Sequence, residues 1–154
     1  MKIRLITFSR GRTDWADTAA KDYGRRIARY ASFEEVQARP YRGSAVGEGQ
    51  KDEGARLLKL VRPREWLIVL DERGDSLSSE GWAGLLEDAA QDRSAGLVFA
   101  IGGAYGHGET VRSQARRCIS LSPMVLNHQV ARVLVLEQLY RAWTILRREP
   151  YHHA

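Results

Sequence analysis

Two uninterrupted apolar runs, at residues 66–70 and 97–101, constrain the fold of this chain more than any other feature. The first run ends at an acidic residue, Asp71, and the second leads directly into Gly102. A strand that faces water on one side alternates apolar and polar residues, whereas a strand buried on both faces does not. Both runs therefore predict central strands of a parallel sheet that is covered by helices on its two faces.

Strand-like and helix-like segments alternate along the whole chain, which is typical of an α/β domain with a mostly parallel sheet flanked by helices. Strands are predicted at residues 2–8, 33–39, 66–70, 97–101 and 118–122. Helices are predicted from a cap at Thr13 to Ile27, at 51–62, from a cap at Ser78 or Ser79 to a break at 94–96, at 109–117 and at 129–148. Residues 1–154 are predicted to form a single domain.

The spacing of apolar residues predicts which helix positions are buried. In the first helix a buried stripe is expected every four residues, from Trp15 to Ile27. In the third helix the expected buried residues are Trp82, Leu85, Leu86, Ala89 and Ala90. Glycines punctuate residues 43–49, and this segment is predicted to be a flexible loop.

The composition indicates a globular protein with a basic surface. The chain is 44% hydrophobic and 28% charged, and its formal net charge is +5. Paired arginines, such as Arg25 with Arg26 and Arg147 with Arg148, suit contacts with phosphate groups, although a solvated surface gives the same pattern. No apolar stretch resembles a signal peptide or a membrane span, so a cytoplasmic protein without membrane contact is expected.

Several kinds of site are disfavoured by residue spacing. The glycines at 103 and 108 match a P-loop, but a carboxylate, Glu109, stands where that loop needs lysine. The dinucleotide fingerprint fails because Val111 occupies the place of its third glycine. The histidines lack metal-ligand spacing, and no Gly-x-Ser-x-Gly elbow occurs. No metal site is therefore expected.

Two loops follow predicted strands, a glycine-rich loop at 102–108 and a second loop at 122–127. Parallel strands bring such loops to one edge of the sheet, where ligands of open α/β folds bind. The second loop is apolar in its middle and offers backbone polar groups, which suits a flat base such as adenine. A side chain at Gly103 is expected to enter the ligand slot. An ordinary glycine-rich turn is the alternative.

Motifs across the chain resemble the ribosomal RNA large subunit methyltransferase H family of the SPOUT superfamily. The resemblance is loose in the first half and close from Trp66 onward. Its motifs are Leu70-Asp71, Ile101-Gly102-Gly103-x-x-Gly106, Ser120-Leu121-Ser122, His128, Arg132-Val133-Leu134, residues 137–143 and Pro150-Tyr151-His152. The chain departs from the usual family pattern at Ala104 and Asn127, where proline is common.

The resemblance implies a homodimer with a SPOUT-type α/β fold, in which a C-terminal trefoil knot holds S-adenosylmethionine. It also implies methylation of N3 of a pseudouridine in 23S rRNA, on the large subunit or the assembled ribosome. The residues that the resemblance assigns to the cofactor are Leu70, Gly103, Ser122, Pro123, Met124, Val125, Leu126 and Asn127.

The pseudouridine N3 must lose its proton before it becomes nucleophilic. A residue that accepts this proton is therefore expected on the substrate side of the site. His152 and Tyr151 are the catalytic candidates, for proton removal or for stacking on the base. His128, Arg132 and Arg141 are the candidate substrate contacts. A packed or frayed C-terminus is the structural alternative for the two tail residues.

Two other functions stay open at this stage. The chain could be a ribosome-associated assembly factor that has the SPOUT fold but no activity. It could also be a small-molecule-binding dimer that is unrelated to RNA. Methyl transfer to ribosomes separates the first from an enzyme, and salt-dependent RNA affinity separates the second.

Overall fold

The computed structural model describes residues 1–10, 15–92 and 96–153. Strands and helices alternate along these residues. The elements are β1 (Lys2–Phe8), α1 (Trp15–Ile27), β2 (Ser32–Ala38), α2 (Val46–Leu60), β3 (Glu65–Ser76), α3 (Ser79–Gln91), β4 (Gly96–Ile101), α4 (Glu109–Gln114), β5 (Arg117–Ser120) and α5 (His128–Leu146).

The strands form one sheet in the order β2-β1-β4-β3-β5, and every neighbouring pair in it is parallel. The predicted α/β class and parallel sheet are thereby confirmed. The C-terminal trefoil knot, which came from the family resemblance, stays a prediction.

Side chains that alternate along the central strands enter two separate cores, one on each face of the sheet. From β3, Ile68 and Leu70 pack in the core that α1, α3 and α5 share. Leu67 and Val69 point the other way and pack with residues of α2 and α4. This burial on both faces is the reason why the two apolar runs contain no polar alternation.

β3 continues beyond its apolar run to Ser76, whereas the sequence predicted its end at Leu70. Both Leu70 and Asp75 pair with Ile119 of β5, so the residues between them form a bulge. A Cβ on Gly74 would lie 2.5 Å from the backbone of Cys118, and only glycine allows this approach. The acidic and glycine residues that indicated a strand end therefore belong to a bulge.

α2 begins at Val46, inside the segment that was predicted to be a flexible loop. Gly47 and Gly49 lie in its first turns, although glycine weakens an isolated helix. The prediction is wrong here because tertiary contacts between this half of α2 and the glycine-rich loop override local propensity. These contacts are described with the site below.

The buried stripe of α1 differs from the prediction at its N-terminal end. Trp15 is 61% exposed, and the buried residues are Ala16, Ala20 and Ile27. Tyr23 is partly buried against the same core. A repeat of exactly four residues drifts around a helix of 3.6 residues per turn, so it does not stay on one face.

The capping residue of α3 is Ser78, whose Oγ accepts the N–H of Gly81 at 3.2 Å. The predicted buried positions of this helix are confirmed except for Ala90, which is exposed. The predicted cap at Thr13 and the first two residues of the predicted helix break at 94–96 lie outside the described residues, whereas Gly96 begins β4.

Candidate functional site

A cavity of about 320 Å³ opens at the bulge of β3 and the carboxyl end of β4, between the glycine-rich loop and the loop before α5. Its size falls in the usual range for small-molecule sites. The wall consists of Leu70, Asp71, Glu72, Arg73, Ile101, Gly102, Gly103, Ala104, Tyr105, Gly106, Leu121, Ser122, Met124, Val125, Leu126, His128 and Ala131. Three segments that are far apart in sequence therefore meet at the predicted sheet edge.

Most residues that the sequence assigned to the cofactor lie in this wall. They are Leu70, Gly103, Ser122, Met124, Val125 and Leu126. Pro123 and Asn127, both among the described residues, lie outside it. Asn127 instead caps α5, because its Oδ1 accepts the N–H of Gln129 at 2.8 Å. An asparagine at a position where proline is common therefore has a structural use.

A buried carboxylate on α2, Glu53, holds the glycine-rich loop in place. Glu53 is 8% exposed, and its Oε2 accepts the N–H of Gly103 at 3.0 Å. Its Oε1 accepts the N–H of Tyr41 at 2.8 Å. Hydrogen bonds to an ionised group are worth about 1.5–3 kcal/mol each. The same side chain therefore fixes the wall of the cavity and the loop between β2 and α2.

The Glu53 contact corrects the expectation for Gly103. A Cβ on Gly103 would overlap the Glu53 carboxylate rather than project into the cavity. Glycine is required here because the carboxylate approaches the backbone so closely. A side chain at this position would displace Glu53, which holds the loop. The cavity would be disturbed through this displacement and not by direct entry of the side chain.

A second contact from α2 holds the same loop. Nε2 of Gln50 donates to the carbonyl oxygen of Tyr105 at 2.8 Å. The Tyr105 hydroxyl in turn donates to the carbonyl oxygen of Ser44 at 3.3 Å. Neither partner could be predicted from sequence, because Gln50 and Glu53 look like ordinary polar positions of a surface helix.

Asp71 forms a charged part of the cavity wall, and its side chain is only 2% exposed. Its Oδ1 accepts the backbone N–H of Arg73 at 3.0 Å and Nε of the same residue at 2.8 Å. Nη1 of Arg112 lies 3.6 Å from Oδ2. Burial alone would raise the pKa of Asp71, but the hydrogen bonds and charge of Arg73 outweigh it and lower the pKa. The carboxylate is therefore ionised and engaged in holding the bulge.

His107 belongs to the glycine-rich loop and is 4% exposed. Its Nε2 is 3.2 Å from the carbonyl oxygen of Ala100, and burial lowers its pKa, so the ring is neutral at pH 7. Burial raises the pKa of the Cys118 thiol, which favours the protonated form.

In the described ranges, no three His, Cys, Asp or Glu side chains are grouped so that they could hold a metal ion.

Known proteins resemble this chain over almost its entire length. The family model described as predicted SPOUT methyltransferase matches residues 1–152. Ribosomal RNA large subunit methyltransferase H of Pelobacter propionicus is 42% identical over 153 residues, which cover 99% of this chain and 100% of that protein. The protein of the same name from Geobacter sulfurreducens is also 42% identical, with the same coverage of both chains.

The chain belongs to the ribosomal RNA large subunit methyltransferase H family. The family resemblance that the motifs indicated is thereby confirmed. Within the described part of the chain, no helix combines the length and the apolar character that crossing a membrane requires.

The residues that were predicted to contact the substrate lie in different surroundings. His128 is the first residue of α5 and lines the cavity. Arg132 is 5% exposed, and its guanidinium contacts Glu35 on β2 at 2.5 Å and Asp17 on α1 at 2.6 Å. Burial alone would lower the pKa of Arg132, but these carboxylates raise it. Arg132 therefore joins α5 to α1 and β2, and its contact with substrate stays a prediction.

Tyr151 packs on the middle of α5 rather than in the cavity wall. Its hydroxyl donates to Oε1 of Glu137 at 3.2 Å, and its ring meets Tyr140 edge-on at 4.7 Å. The Arg141 guanidinium lies 4.7 Å from the ring centroid. Burial, followed by a hydrogen bond with Tyr23, raises the pKa of Tyr151, so the phenol stays protonated at pH 7.

His152 bridges the tail to α3 and α5. Its Nε2 lies 2.8 Å from Oε1 of Glu80, and its Nδ1 lies 3.4 Å from Nη1 of Arg141. The pKa of the Glu80 carboxyl is lowered to about 2. The causes are hydrogen bonds from its own backbone N–H and then from the side chains of Ser78 and His152. Within one chain the structure does not bring His152 and Tyr151 into the cavity wall, and their catalytic roles stay predictions. Arg141 pairs with Glu137 at 2.6 Å, and its substrate role also stays a prediction.

The Asp71 ion pair generates a prediction for acid stability. A carboxyl with a lowered pKa in the folded state contributes stability above its unfolded value, about 3.9, and loses it as the pH falls through the folded value. Asp71→Asn should lower the free energy of unfolding at pH 7 by about 1–3 kcal/mol, and the difference from the unaltered protein should shrink below about pH 4. Urea unfolding across this pH range measures both.

The matched control for this experiment is Asp75→Asn in the same strand. Asp75 is 73% exposed and lies 3.8 Å from Arg117, so its removal should have little effect at any pH. A stability loss in Asp71→Asn that is the same at pH 7 and at pH 2 would contradict the assignment of this ion pair.

Proposed function

We propose that this chain transfers a methyl group from S-adenosylmethionine to ribosomal RNA, at N3 of a pseudouridine in 23S rRNA. One observation carries the proposal: six of the eight residues that the family resemblance assigns to the cofactor converge on a ligand-sized cavity at the carboxyl edge of the sheet. Action on ribosomal RNA would place the protein in the cytoplasm.

The cavity fits the proposed cofactor. Its apolar wall at Leu70, Ile101 and Leu126 suits a flat base, and the glycine-rich loop presents backbone polar groups beside it. The Glu72 carboxylate in the wall adds negative charge, which favours a positively charged ligand. When bound, S-adenosylmethionine supplies an electrophilic methyl group on a cationic sulfur.

The residues of the described cavity contribute positioning of the two reactants. Fixing the base nitrogen in line with the methyl group converts an encounter into an oriented reaction, which can supply several kcal/mol of the barrier reduction. Asp71 is unsuited to remove the N3 proton, because its lone pairs are engaged by Arg73. His128 lies in the wall, and we propose that it contacts the base. The roles of Tyr151 and His152 rest on the resemblance alone.

The decisive test of the function is methyl transfer from labelled S-adenosylmethionine to large subunits and to assembled ribosomes. We expect label in 23S rRNA, and mass spectrometry should place it on a pseudouridine. Binding to ribosomes without transfer would instead support an assembly factor. S-adenosylmethionine binding without any salt-dependent RNA affinity would contradict an RNA substrate.

The Glu53 contact predicts an effect on cofactor affinity from a residue outside the cavity wall. Glu53→Ala removes two charge-assisted hydrogen bonds, one of which holds Gly103 in the wall. We expect S-adenosylmethionine affinity, measured by calorimetry, to fall about tenfold or more, since about 1.4 kcal/mol corresponds to tenfold. The control is Glu87→Ala on the exposed side of α3. Unchanged affinity in a folded Glu53→Ala protein would exclude this role.

The proposed homodimer is supported by apolar side chains that are exposed in the cavity wall and beside it. Met124 is 68% exposed, Val125 94% and Val130 41%. Side chains of this kind, grouped in the loop before α5 and its first turn, are typical of a surface that a partner covers.

A charge within this surface should separate the subunits. We expect Val130→Glu to shift the protein from dimer to monomer in sedimentation equilibrium at micromolar concentration, because dimerisation would bury an unpaired carboxylate. Val46→Glu, at a position on α2 that is 50% exposed, is the matched control and should stay dimeric. A monomeric unaltered protein would contradict the proposed dimer.

A further inference from the structure

Three arginines meet at the carboxyl ends of β1 and β2. Arg10, Arg39 and Arg42 line a cleft of about 700 Å³ together with Ser9 and Pro40. All three arginines are exposed. Among the described residues, none of their guanidinium groups has a hydrogen-bond or ion-pair partner. None of the described residues in the cleft wall is acidic.

Several other arginines of the chain differ from these three, because a carboxylate accompanies each of them. Such pairs are Arg26 with Asp22, Arg56 with Asp52, Arg73 with Asp71, Arg112 with Glu109, Arg132 with Glu35 and Arg141 with Glu137. Cations that share a cleft without a carboxylate repel one another, and a polyanion relieves that repulsion. The cleft is thus a place where positive charge is left available to a partner.

The backbone that carries these arginines is held firmly. Nη1 of Arg56 donates to the carbonyl oxygen of Arg39 at 2.7 Å, and the N–H of Tyr41 donates to Glu53 at 2.8 Å. The N–H of Ser9 donates to the carbonyl oxygen of Ala38 at 3.1 Å, which joins the ends of β1 and β2. A partner that binds here meets arginines on a fixed frame, which lowers the entropy cost of binding.

The cleft and the cofactor cavity share one edge of the sheet. All strands are parallel, and β1 lies between β2 and β4, so the carboxyl ends of β2, β1, β4 and β3 follow one another along that edge. Neighbouring strands are about 4.8 Å apart, so the cleft between β2 and β1 lies about 10 Å from the boundary between β4 and β3. Glu53 spans this interval by bonding Tyr41 on one side and Gly103 on the other.

We propose that the arginine cleft formed by Ser9, Arg10, Arg39, Pro40 and Arg42 binds the phosphate backbone of the RNA whose base enters the cavity. The inference rests on the proposed function, since it requires an RNA substrate. Guanidinium groups bind phosphate oxygens through paired hydrogen bonds, and phosphate contacts fix the register of a nucleic acid without reading its sequence. The cleft thereby positions the strand, while the cavity wall contacts the reacting base.

The test replaces all three arginines, as Arg10→Gln, Arg39→Gln and Arg42→Gln in one protein. Its affinity for a fluorescent single-stranded RNA oligonucleotide is measured by anisotropy between about 50 and 200 mM KCl. Each phosphate contact contributes about 0.7 to the slope of log affinity against log salt, so the slope should fall by about 2. S-adenosylmethionine binding should be unchanged, because none of the three arginines lies in the cavity wall.

The control variant carries Arg29→Gln, Arg147→Gln and Arg148→Gln. These arginines are also exposed, and the change in net charge is identical. They lie near the opposite edge of the sheet, where Tyr30, which precedes β2, donates to Glu149 at 2.6 Å. The control should keep the salt slope of the unaltered protein, since its arginines are far from the cleft.

The possible outcomes separate this inference from the proposed function. An unchanged salt slope in the cleft variant, with RNA binding intact, would overturn the cleft assignment and leave the methyltransferase proposal standing. Loss of ribosome methylation with an unchanged RNA slope would assign the cleft to a ribosomal protein and likewise overturn it. Absence of salt-dependent RNA binding by the unaltered protein would overturn both proposals.

Discussion

Parallel pairing of β1, β4 and β3 is the constraint on which the rest of this structure depends. It requires helices on both faces, since parallel strands are joined by crossover connections, and it therefore demands strands that are apolar throughout. It also gathers the carboxyl ends of the strands at one edge. The cofactor cavity and the arginine cleft are neighbours for this reason, although residues 10 and 126 are far apart in the chain.

The central strands and the two loops of the cavity could be predicted from sequence because both leave local signals. An apolar run such as 97–101 indicates a strand that is buried on both faces. Glycine after a strand indicates that another group approaches the backbone closely. The bulge after Leu70 leaves no such signal, because Asp71 and Gly74 also occur in ordinary turns. Only the pairing with β5, more than forty residues later, distinguishes the two cases.

Glu53 shows why the support of the site escaped sequence reasoning. On a helix, one more carboxylate looks like part of a solvated face, and nothing near it in sequence indicates burial. Its partners, Tyr41 and Gly103, lie in two other segments, and Gly103 is 50 residues away. The tail residues Tyr151 and His152 illustrate the same limit, since their contacts with α3 and α5 depend on how the tail folds back.

Arginines lie at two places along one edge of the sheet, and they differ in whether a carboxylate pairs with them. At the proposed cofactor cavity, Arg73 is neutralised by Asp71, whereas no carboxylate of the described residues pairs with the arginines of the cleft. A cationic sulfonium 4 Å from an unpaired guanidinium would be repelled by about 4 kcal/mol at an effective dielectric constant of 20. At about 10 Å, with solvent and salt between them, the repulsion falls below about 1 kcal/mol. Under the proposed function, the two strands between these arginines and the cavity would let one edge attract RNA without repelling the cofactor.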